Sequence, residues 1–321
     1  MAMQRVTQEN SPVVALEACN LSHWYGEHRV LNNVNLTIRA GQIVALVGPS
    51  GCGKSTLLKA ILGTHPARAG EVRTNNQLIC KPSRDVGIVY QHYSLFDFLT
   101  AESNVAFGLK LDRTSLPFRT LMYPWYLKYQ QAHLVEARAY LKRVGLETAC
   151  GRYPSELSGG MRQRVAIAQS LVVKPKILLL DEPFGALDEA TRESLQVMLL
   201  RFYQENLKAI QAGRQPEYTI LIVTHELTEA IYVADRVIGL SRFYDGGAQG
   251  ATIVYDRPCP VFLPDEPKDL ERLVEQREEL RRAVFDPAYI KHHDKYVSFW
   301  KELALNKAAA DAKLGHPTGS V

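Results

Sequence analysis

The chain has 321 residues, 46% hydrophobic and 22% charged, a composition typical of a globular protein and unlike that of a disordered one. Its net charge of +4 forms no concentrated basic stripe that would indicate nucleic-acid binding, and no apolar run reaches the ~18 residues that span a membrane, so we expect a soluble chain. Five cysteines without a Cys-x-x-Cys pair favour reduced thiols over a disulfide framework or a zinc site.

The first segments of the chain predict antiparallel strands. Residues 13–16 and 34–38 alternate as strands do, and a polar turn at 26–29 separates them. A second short pair follows at 71–73 and 77–79. Together these segments predict an antiparallel patch.

A phosphate-binding loop is predicted between an apolar strand at 43–47 and a segment with helical spacing. Its glycines let backbone N–H groups turn inward, and the positive end of the helix dipole faces the same point. Lys54 would reach the β- and γ-phosphates of a nucleotide, and the Ser55 hydroxyl would bind Mg²⁺. The loop residues are Gly48, Pro49, Ser50, Gly51, Cys52, Gly53, Lys54, Ser55 and Thr56.

Two side chains near this loop carry further expectations. Tyr25, at the first turn of the antiparallel patch, stacks on a nucleotide base or packs against its own strand. Cys52 lies near the start of the helix, where the dipole should favour a thiolate. We therefore expect alkylation of Cys52 to block ATP binding, and bound ATP to protect the thiol.

Three more short apolar runs resemble the strand at 43–47, and each ends in polar residues. The runs are 86–90, ending at Gln91, 177–180, ending at Asp181 and Glu182, and 220–223, ending at Thr224 and His225. Continuous apolar runs between helical segments are typical of parallel strands buried on both faces. Because ligands bind at the carboxyl ends of such strands, we expect these polar residues and the phosphate loop to converge at one edge.

The polar residues at the strand ends suit ATP hydrolysis. Asp181 would orient Mg²⁺ through water, and Glu182 would polarise the attacking water. Gln91 and His225 would supply an amide and an imidazole near the γ-phosphate. The second carboxylate favours hydrolysis over nucleotide sensing alone.

An inserted helical subdomain is predicted at residues 92–172, with an aromatic cluster at 112–129 that either contacts a partner or packs within the insert.

Within this subdomain, a second helix start is suited to phosphate. It is formed by Ser158, Gly159 and Gly160, because Ser158 can cap the helix and the glycines permit close backbone approach. One nucleotide does not need both cradles. The second is therefore predicted to serve a nucleotide held by another copy, in a head-to-tail pair.

The composition changes after residue 240. Glycines and prolines predict a linker at 246–264, and apolar stripes predict a helical C-terminal extension at 265–321. This extension either regulates activity or mediates dimerisation, or it packs as structural cover.

The motifs described above and their order along the chain resemble those of the nucleotide-binding subunit of an ATP-binding cassette (ABC) transporter. They lie at Tyr25, 48–56, Gln91, 157–163, 177–188 and His225. The resemblance covers residues 13–245. It implies an α/β fold with a P-loop NTPase (RecA-like) core and a mainly parallel sheet. It also implies an N-terminal antiparallel β subdomain, the inserted helical subdomain and a short helical C-terminal extension. The nucleotide-binding core would comprise 13–91 and 173–245.

The resemblance also implies a role for each motif. Around ATP, Tyr25 would stack on adenine, the loop residues through Thr56 would hold phosphates and Mg²⁺, and Glu182 would be the general base. Gln91 would link the γ-phosphate and metal to the membrane subunit, and His225 would be the switch histidine. The residues that would complete the partner's site are Ser158, Gly159, Gly160 and Asp188.

An ABC subunit of this kind would be the energy-coupling ATPase of a bacterial importer. Its partners would be a second copy, two integral membrane permease subunits and, indirectly, a periplasmic or extracellular substrate-binding protein, at the cytoplasmic face of the inner membrane. The permease would dock at the aromatic run around Gln91, formed by Tyr90, Tyr93, Phe96 and Phe98. Met161 replaces the family's usual Gln, as in the branch that imports nitrate, sulfonates and taurine. The alternative is a soluble ABC-type ATPase that acts on nucleic acid or the ribosome.

Overall fold

The computed structural model describes residues 13–92, 94–114, 123–242, 250–264 and 270–286, with the backbone alone at 123–127. The strands are β1 (Val14–Tyr25), β2 (His28–Arg39), β3 (Ile43–Val47), β4 (Ala69–Thr74), β5 (Gln77–Leu78), β6 (Val86–Val89), β7 (Ile177–Asp181), β8 (Ile220–Val223), β9 (Arg236–Ser241) and β10 (Thr252–Pro258). The helices are α1 (Lys54–Leu62), α2 (Ala101–Arg113), α3 (Tyr123–Arg143), α4 (Gly159–Leu171), α5 (Glu189–Gln211), α6 (Leu227–Val233) and α7 (Leu270–Phe285).

The central sheet has six strands in the order β10-β9-β3-β8-β7-β6. Strands β9, β3, β8, β7 and β6 are parallel, and β10 pairs antiparallel with β9. The α/β class with a mainly parallel sheet is therefore confirmed. Because β3, β6, β7 and β8 all run in one direction, their carboxyl ends lie at one edge of this sheet.

A second sheet, with the order β2-β1-β4-β5, is antiparallel, as predicted. Helix α1 lies between the two sheets, where Leu57, Leu58 and Ile61 pack against apolar residues of both. Alternate residues of β3 face opposite sides, so Val44 and Leu46 join this core. Helix α1 ends at Gly63, whose left-handed backbone (φ 79°) closes the last turn.

Helices α2, α3 and α4 form the inserted helical subdomain and pack on the other face of the sheet. Helix α3 begins at Tyr123 and carries Pro124 in its first turn, where a missing N–H costs no hydrogen bond. Part of the aromatic cluster at 112–129, at residues 115–122, lies outside the described residues.

The predicted linker at 246–264 is wrong where the structure describes it, because residues 252–258 form β10. The prolines suggested a break in regular structure. Pro258 instead ends an edge strand, a position that tolerates proline because one side of the strand needs no ladder partner. The predicted extension begins as α7, which buries Leu273 and Leu280 against β9, β10 and α6. The part of the predicted extension at 287–321 lies outside the described residues.

Within the described ranges, every helix is too short or too polar to qualify as a membrane span.

Candidate functional site

The phosphate loop wraps tightly around the start of α1. A Cβ at Gly48 would collide with the Leu240 carbonyl oxygen and lie 2.7 Å from the Cys52 Sγ, so only glycine fits there. The backbone of Gly53 is left-handed, with φ 109°. The Lys54 amine is buried and donates to the carbonyl oxygens of Gly48 at 2.7 Å and Pro49 at 3.2 Å.

The start of α1 suits an anion. Among the described residues, no side chain caps this helix, and its first turn contains no acidic residue. The first hydrogen bond of the helix runs from the Leu57 N–H to the Gly53 carbonyl. The N–H groups of Lys54, Ser55 and Thr56 therefore have no acceptor within the helix and are available to phosphate oxygens.

The expectation of a thiolate at Cys52 is wrong. The side chain is only 1% exposed, and burial raises the pKa of the thiol above its ordinary value. Lys54 and Arg242 lower this pKa, but burial has the larger effect. The thiol points into the loop, toward Gly48, so Cys52 fills space within the loop.

Two consecutive carboxylates end β7. Asp181 is the last residue of the strand and is half-buried; burial and the adjacent Glu182 raise the pKa of Asp181, while Lys54 and Lys59 lower it. Glu182 follows with a left-handed backbone, φ 46°, a conformation that a non-glycine residue adopts at a cost. Its N–H donates to the Val223 carbonyl at 2.8 Å, which holds this turn against the end of β8.

Three of the predicted side chains meet at the ends of β6, β7 and β8. The His225 Nδ1 lies 3.3 Å from the Glu182 Oε1. A Cβ placed on Gly185 would lie 3.7 Å from the Gln91 Nε2 and 3.8 Å from the Glu182 Oε2, so Gln91 and Glu182 flank the same glycine. The structure thus brings Gln91, Glu182 and His225 together at the edge where the phosphate loop lies.

The same edge fits Mg²⁺ bound partly by phosphate and water. The Ser55 hydroxyl and the Asp181 carboxylate are oxygen ligands of the kind that Mg²⁺ prefers. Over the ranges that the structure describes, no group of three or more His, Cys, Asp or Glu residues could form an all-protein metal site. The donor set of Ser55 and Asp181 is therefore typical of a site in which a few side chains and the phosphates of the substrate bind Mg²⁺ together.

Tyr25 ends β1 and is 45% exposed, so its ring is available to a ligand. It forms edge contacts with His23, at a centroid distance of 4.9 Å, and His65, at 6.4 Å. His23 is buried, and burial lowers its pKa, which favours the neutral ring. Tyr25 therefore packs beside its own strand and keeps an exposed face as well.

The remaining predicted residues form a second group. Ser158 caps α4 and accepts the Met161 N–H at 3.3 Å, and Gly159 and Gly160 are the first residues of the helix. A Cβ on Gly160 would clash with Thr191. Thr191 also donates its N–H to Asp188, the cap of α5, at 3.1 Å.

The two helix starts are therefore neighbours, and Gly160 is required because α5 comes so close. Met161 is half-buried and packs against the apolar core of the helical subdomain.

The sequence interpretation named Thr224 and His225 but missed three polar residues beside them. These are Glu226, Glu229 and Arg192. Glu229 could have been suspected because it lies in the first turn of α6, only four residues after His225. Arg192 is far away in sequence, and only the packing of α5 on α6 brings it close.

Comparisons with known proteins agree with this geometry. The family model described as ABC transporter matches residues 31–185. The sulfate/thiosulfate import ATP-binding protein CysA of Pseudomonas aeruginosa is 37% identical over 313 residues, 96% of this chain and 86% of the relative. The taurine import ATP-binding protein TauB of Escherichia coli O157:H7 is 36% identical over 278 residues, 82% of this chain and 98% of the relative.

Solved structures resemble the same part of the chain. A dimeric ATP-binding cassette in a post-hydrolysis state, bound to ADP and Pi, has 29% identity and a TM-score of 0.58, covering 77% of this chain and 100% of that one. A dimeric bacterial ABC transporter cassette has 30% identity and a TM-score of 0.59, with the same coverage.

Proposed function

Because the chain belongs to the ABC transporter family, as an ATP-binding subunit, we propose that it hydrolyses ATP to power a bacterial importer of a small oxyanion. The observation that carries the proposal is the contact between Glu182 and His225, 3.3 Å apart, at the sheet edge that also holds the phosphate loop. This edge provides both an anion cradle and a carboxylate for water.

Each residue at the edge has a distinct task in hydrolysis. Lys54 and the free N–H groups at the start of α1 would hold the phosphates. Glu182 would accept a proton from the attacking water. His225 and Gln91, which flank Glu182, would hydrogen-bond the γ-phosphate and stabilise the charge that develops on it.

Ser55, Gln91 and Asp181 would hold Mg²⁺. The ion, when bound, supplies positive charge to the β- and γ-phosphate oxygens. The fit rests on the exposed Ser55 hydroxyl and on Asp181, whose carboxylate lies near Lys54 and the phosphate loop.

A second copy would complete the site. Ser158, Gly159, Gly160 and Asp188 lie together where α4 and α5 begin, and we assign them to a nucleotide bound by a partner in a head-to-tail dimer. Two of the similar solved cassettes are dimers. The exposed ring of Tyr25 would stack on adenine.

The importer role assigns further partners and a location. The chain would act at the cytoplasmic face of the inner membrane, with two integral membrane permease subunits and, indirectly, a periplasmic or extracellular substrate-binding protein. The named relatives import sulfate, thiosulfate and taurine, which supports sulfate- or sulfonate-like cargo. These relatives give no support to the alternative of a soluble ATPase that acts on nucleic acid or the ribosome.

The direct test is phosphate release from ATP by purified protein, with and without Mg²⁺. We expect Mg²⁺-dependent hydrolysis, and we expect Glu182→Gln to reduce kcat by about 100-fold or more, because a general base contributes 10²- to 10⁴-fold. Glu275→Gln is the matched control, since Glu275 is exposed on α7, away from this edge. Normal hydrolysis by Glu182→Gln would remove Glu182 from this role, and the absence of hydrolysis by the wild type in complex with its permease would refute the proposal.

The permease contact has its own test at the aromatic run around Gln91, of which Tyr93 lies outside the described residues. Phe98 is 75% exposed, whereas Phe96 packs against Phe107 at a centroid distance of 4.8 Å. Phe98→Ala should therefore weaken co-purification with the permease subunits without changing the ATPase rate of the isolated chain. Phe96→Ala changes internal packing as well. Unchanged co-purification of Phe98→Ala would place the permease elsewhere.

A further inference from the structure

The nearly buried carboxylate of Glu229 connects the turn that contains His225 with helix α5, which Asp188 caps. Glu229 lies on α6 and is 9% exposed. Its Oε2 accepts a hydrogen bond from the Thr224 hydroxyl at 3.4 Å, and its Oε1 lies 3.2 Å from the Arg192 Nε in an ion pair. The two oxygens of one side chain therefore contact two separate elements.

The first contact leads to His225. The Thr224 Oγ accepts the Glu226 N–H at 3.0 Å and so closes the turn that contains His225. The Thr224 N–H donates to the Leu46 carbonyl at 3.2 Å, at the end of β3, just before the phosphate loop. Glu229 thus holds the residue on which the His225 turn is built.

The second contact leads to α5. Arg192 lies in the first turn of α5, where its N–H donates to the Asp188 carbonyl at 2.9 Å. Its Nη2 also donates to the Leu187 carbonyl at 3.4 Å, in the loop that precedes the helix. The loop before α5 contains Leu187 and Asp188, and we call it the Asp188 loop. The ion pair between Arg192 and Glu229 therefore connects the Asp188 loop to α6, the helix that follows His225.

Packing alone does not account for a carboxylate at this position. Burial of a charge is unfavourable unless a partner compensates, and neutral replacements of buried ion pairs often leave stability unchanged or raise it. Burial raises the pKa of Glu229, and Arg192 lowers it. A neutral side chain of the same size would fill the space at lower cost.

We propose that Glu229 is a positioning residue, which holds His225 in register with the Asp188 loop through Thr224 and Arg192. The proposal rests on the proposed function, because it assigns the register of that same site. When two copies close on ATP, the Asp188 loop and His225 of one chain then move as one unit.

The test compares Glu229→Gln, Arg192→Gln and Arg192→Lys in steady-state ATP hydrolysis and thermal unfolding. Glu229→Gln keeps the volume and the Thr224 contact but loses the ion pair. We expect kcat to fall about 10- to 100-fold, the cost of misplacing a catalytic group, while KM stays within about threefold. Loss of one partner of a partly buried ion pair also lowers Tm, so thermal unfolding shows whether each variant is folded at the assay temperature. Arg192→Lys should restore part of the rate lost in Arg192→Gln.

The double variant Glu229→Gln/Arg192→Gln isolates the ion pair. Two residues that act through one interaction lose no more together than singly, so we expect the double variant to match the slower single variant. Glu278→Gln, which breaks an exposed ion pair with Arg281 on α7, is the control and should retain the wild-type rate. Arg192 is 40% exposed, so its variants test the idea even where Glu229→Gln does not fold.

Two results would overturn the proposal: a wild-type kcat in Glu229→Gln and Arg192→Gln, or losses that add in the double variant. If the wild type hydrolyses ATP and Glu182→Gln does not, either result refutes the role of Glu229 alone. If the wild type does not hydrolyse ATP, the proposed function fails and this inference fails with it.

Discussion

The His225 Nδ1 lies 3.3 Å from the Glu182 Oε1, so the imidazole that follows β8 and the carboxylate that follows β7 form one pair. This pairing predicts non-additive effects. His225→Ala and Glu182→Gln should each reduce kcat by about 100-fold or more, and the double variant should be no slower than the slower single variant. Single-turnover phosphate release measures all three rates. If the two fold-losses in kcat multiply in the double variant, the two side chains act independently. Glu275→Gln is the control for loss of a carboxylate.

Cys80 and Cys52 should differ strongly in reactivity. Cys80 is exposed, whereas Cys52 is buried and burial raises its pKa, so little thiolate forms there. A maleimide should label Cys80 rapidly and Cys52 slowly, with or without ATP, as followed by mass spectrometry of the peptides. Cys80→Ser should remove the rapid phase. Rapid labelling of Cys52 that ATP suppresses would show instead that the phosphate loop opens in solution.

Gly239 should be intolerant of larger residues because α7 packs directly on β9. A Cβ at Gly239 would clash with the Val284 Cγ2 and would lie 2.9 Å from the Tyr255 Cβ. Gly239→Ala should lower the free energy of unfolding by about 1–3 kcal/mol, the usual cost of overpacking. Urea denaturation provides the measurement. Gly151→Ala is the control, since nothing lies within 4 Å of the added Cβ. Equal stability of the two variants would mean that α7 is not firmly packed.

Asp235 should make stability depend on pH. It lies just before β9, where the Cys259 N–H donates to its carbonyl at 2.8 Å, and no group in the described part of the chain hydrogen-bonds to its Oδ1. Burial raises the pKa of Asp235 from 3.8 to about 7, although Arg236 opposes the shift. The buried Cys259 and the partly buried Tyr203 also lie close enough to interact with this carboxylate.

The raised pKa determines the sign of the effect. Between about pH 4 and pH 7 the folded state binds more protons than the unfolded state. The stability that protonated Asp235 allows is therefore complete below about pH 4 and is lost as pH rises to about 7. The loss is on the order of a few kcal/mol. Asp235→Asn should therefore raise Tm at pH 8 and flatten the dependence of Tm on pH. Asp97→Asn, at an exposed position, is the control. Parallel Tm profiles for wild type and Asp235→Asn would contradict the assignment.

Local patterns predicted the parallel strands and the phosphate loop because each depends on residues that are close in sequence. Strand β3 is a continuous apolar run, and the loop after it needs glycines at set spacings. The linker prediction failed for the opposite reason. Strand β10 is stabilised by its pairing with β9 and by α7, and neither contact is encoded in its own proline-rich segment.

The sequence by itself determined the fold class and the chemistry of the site, since the motif at 48–56 and the polar residues at the strand ends carry both. Only the tertiary structure decided that Cys52 is buried, that Glu182 adopts a left-handed backbone and that Glu229 lies between Thr224 and Arg192. Burial, strain and ion pairs between distant segments depend on how elements pack, and a pattern read along one segment contains no information about that packing.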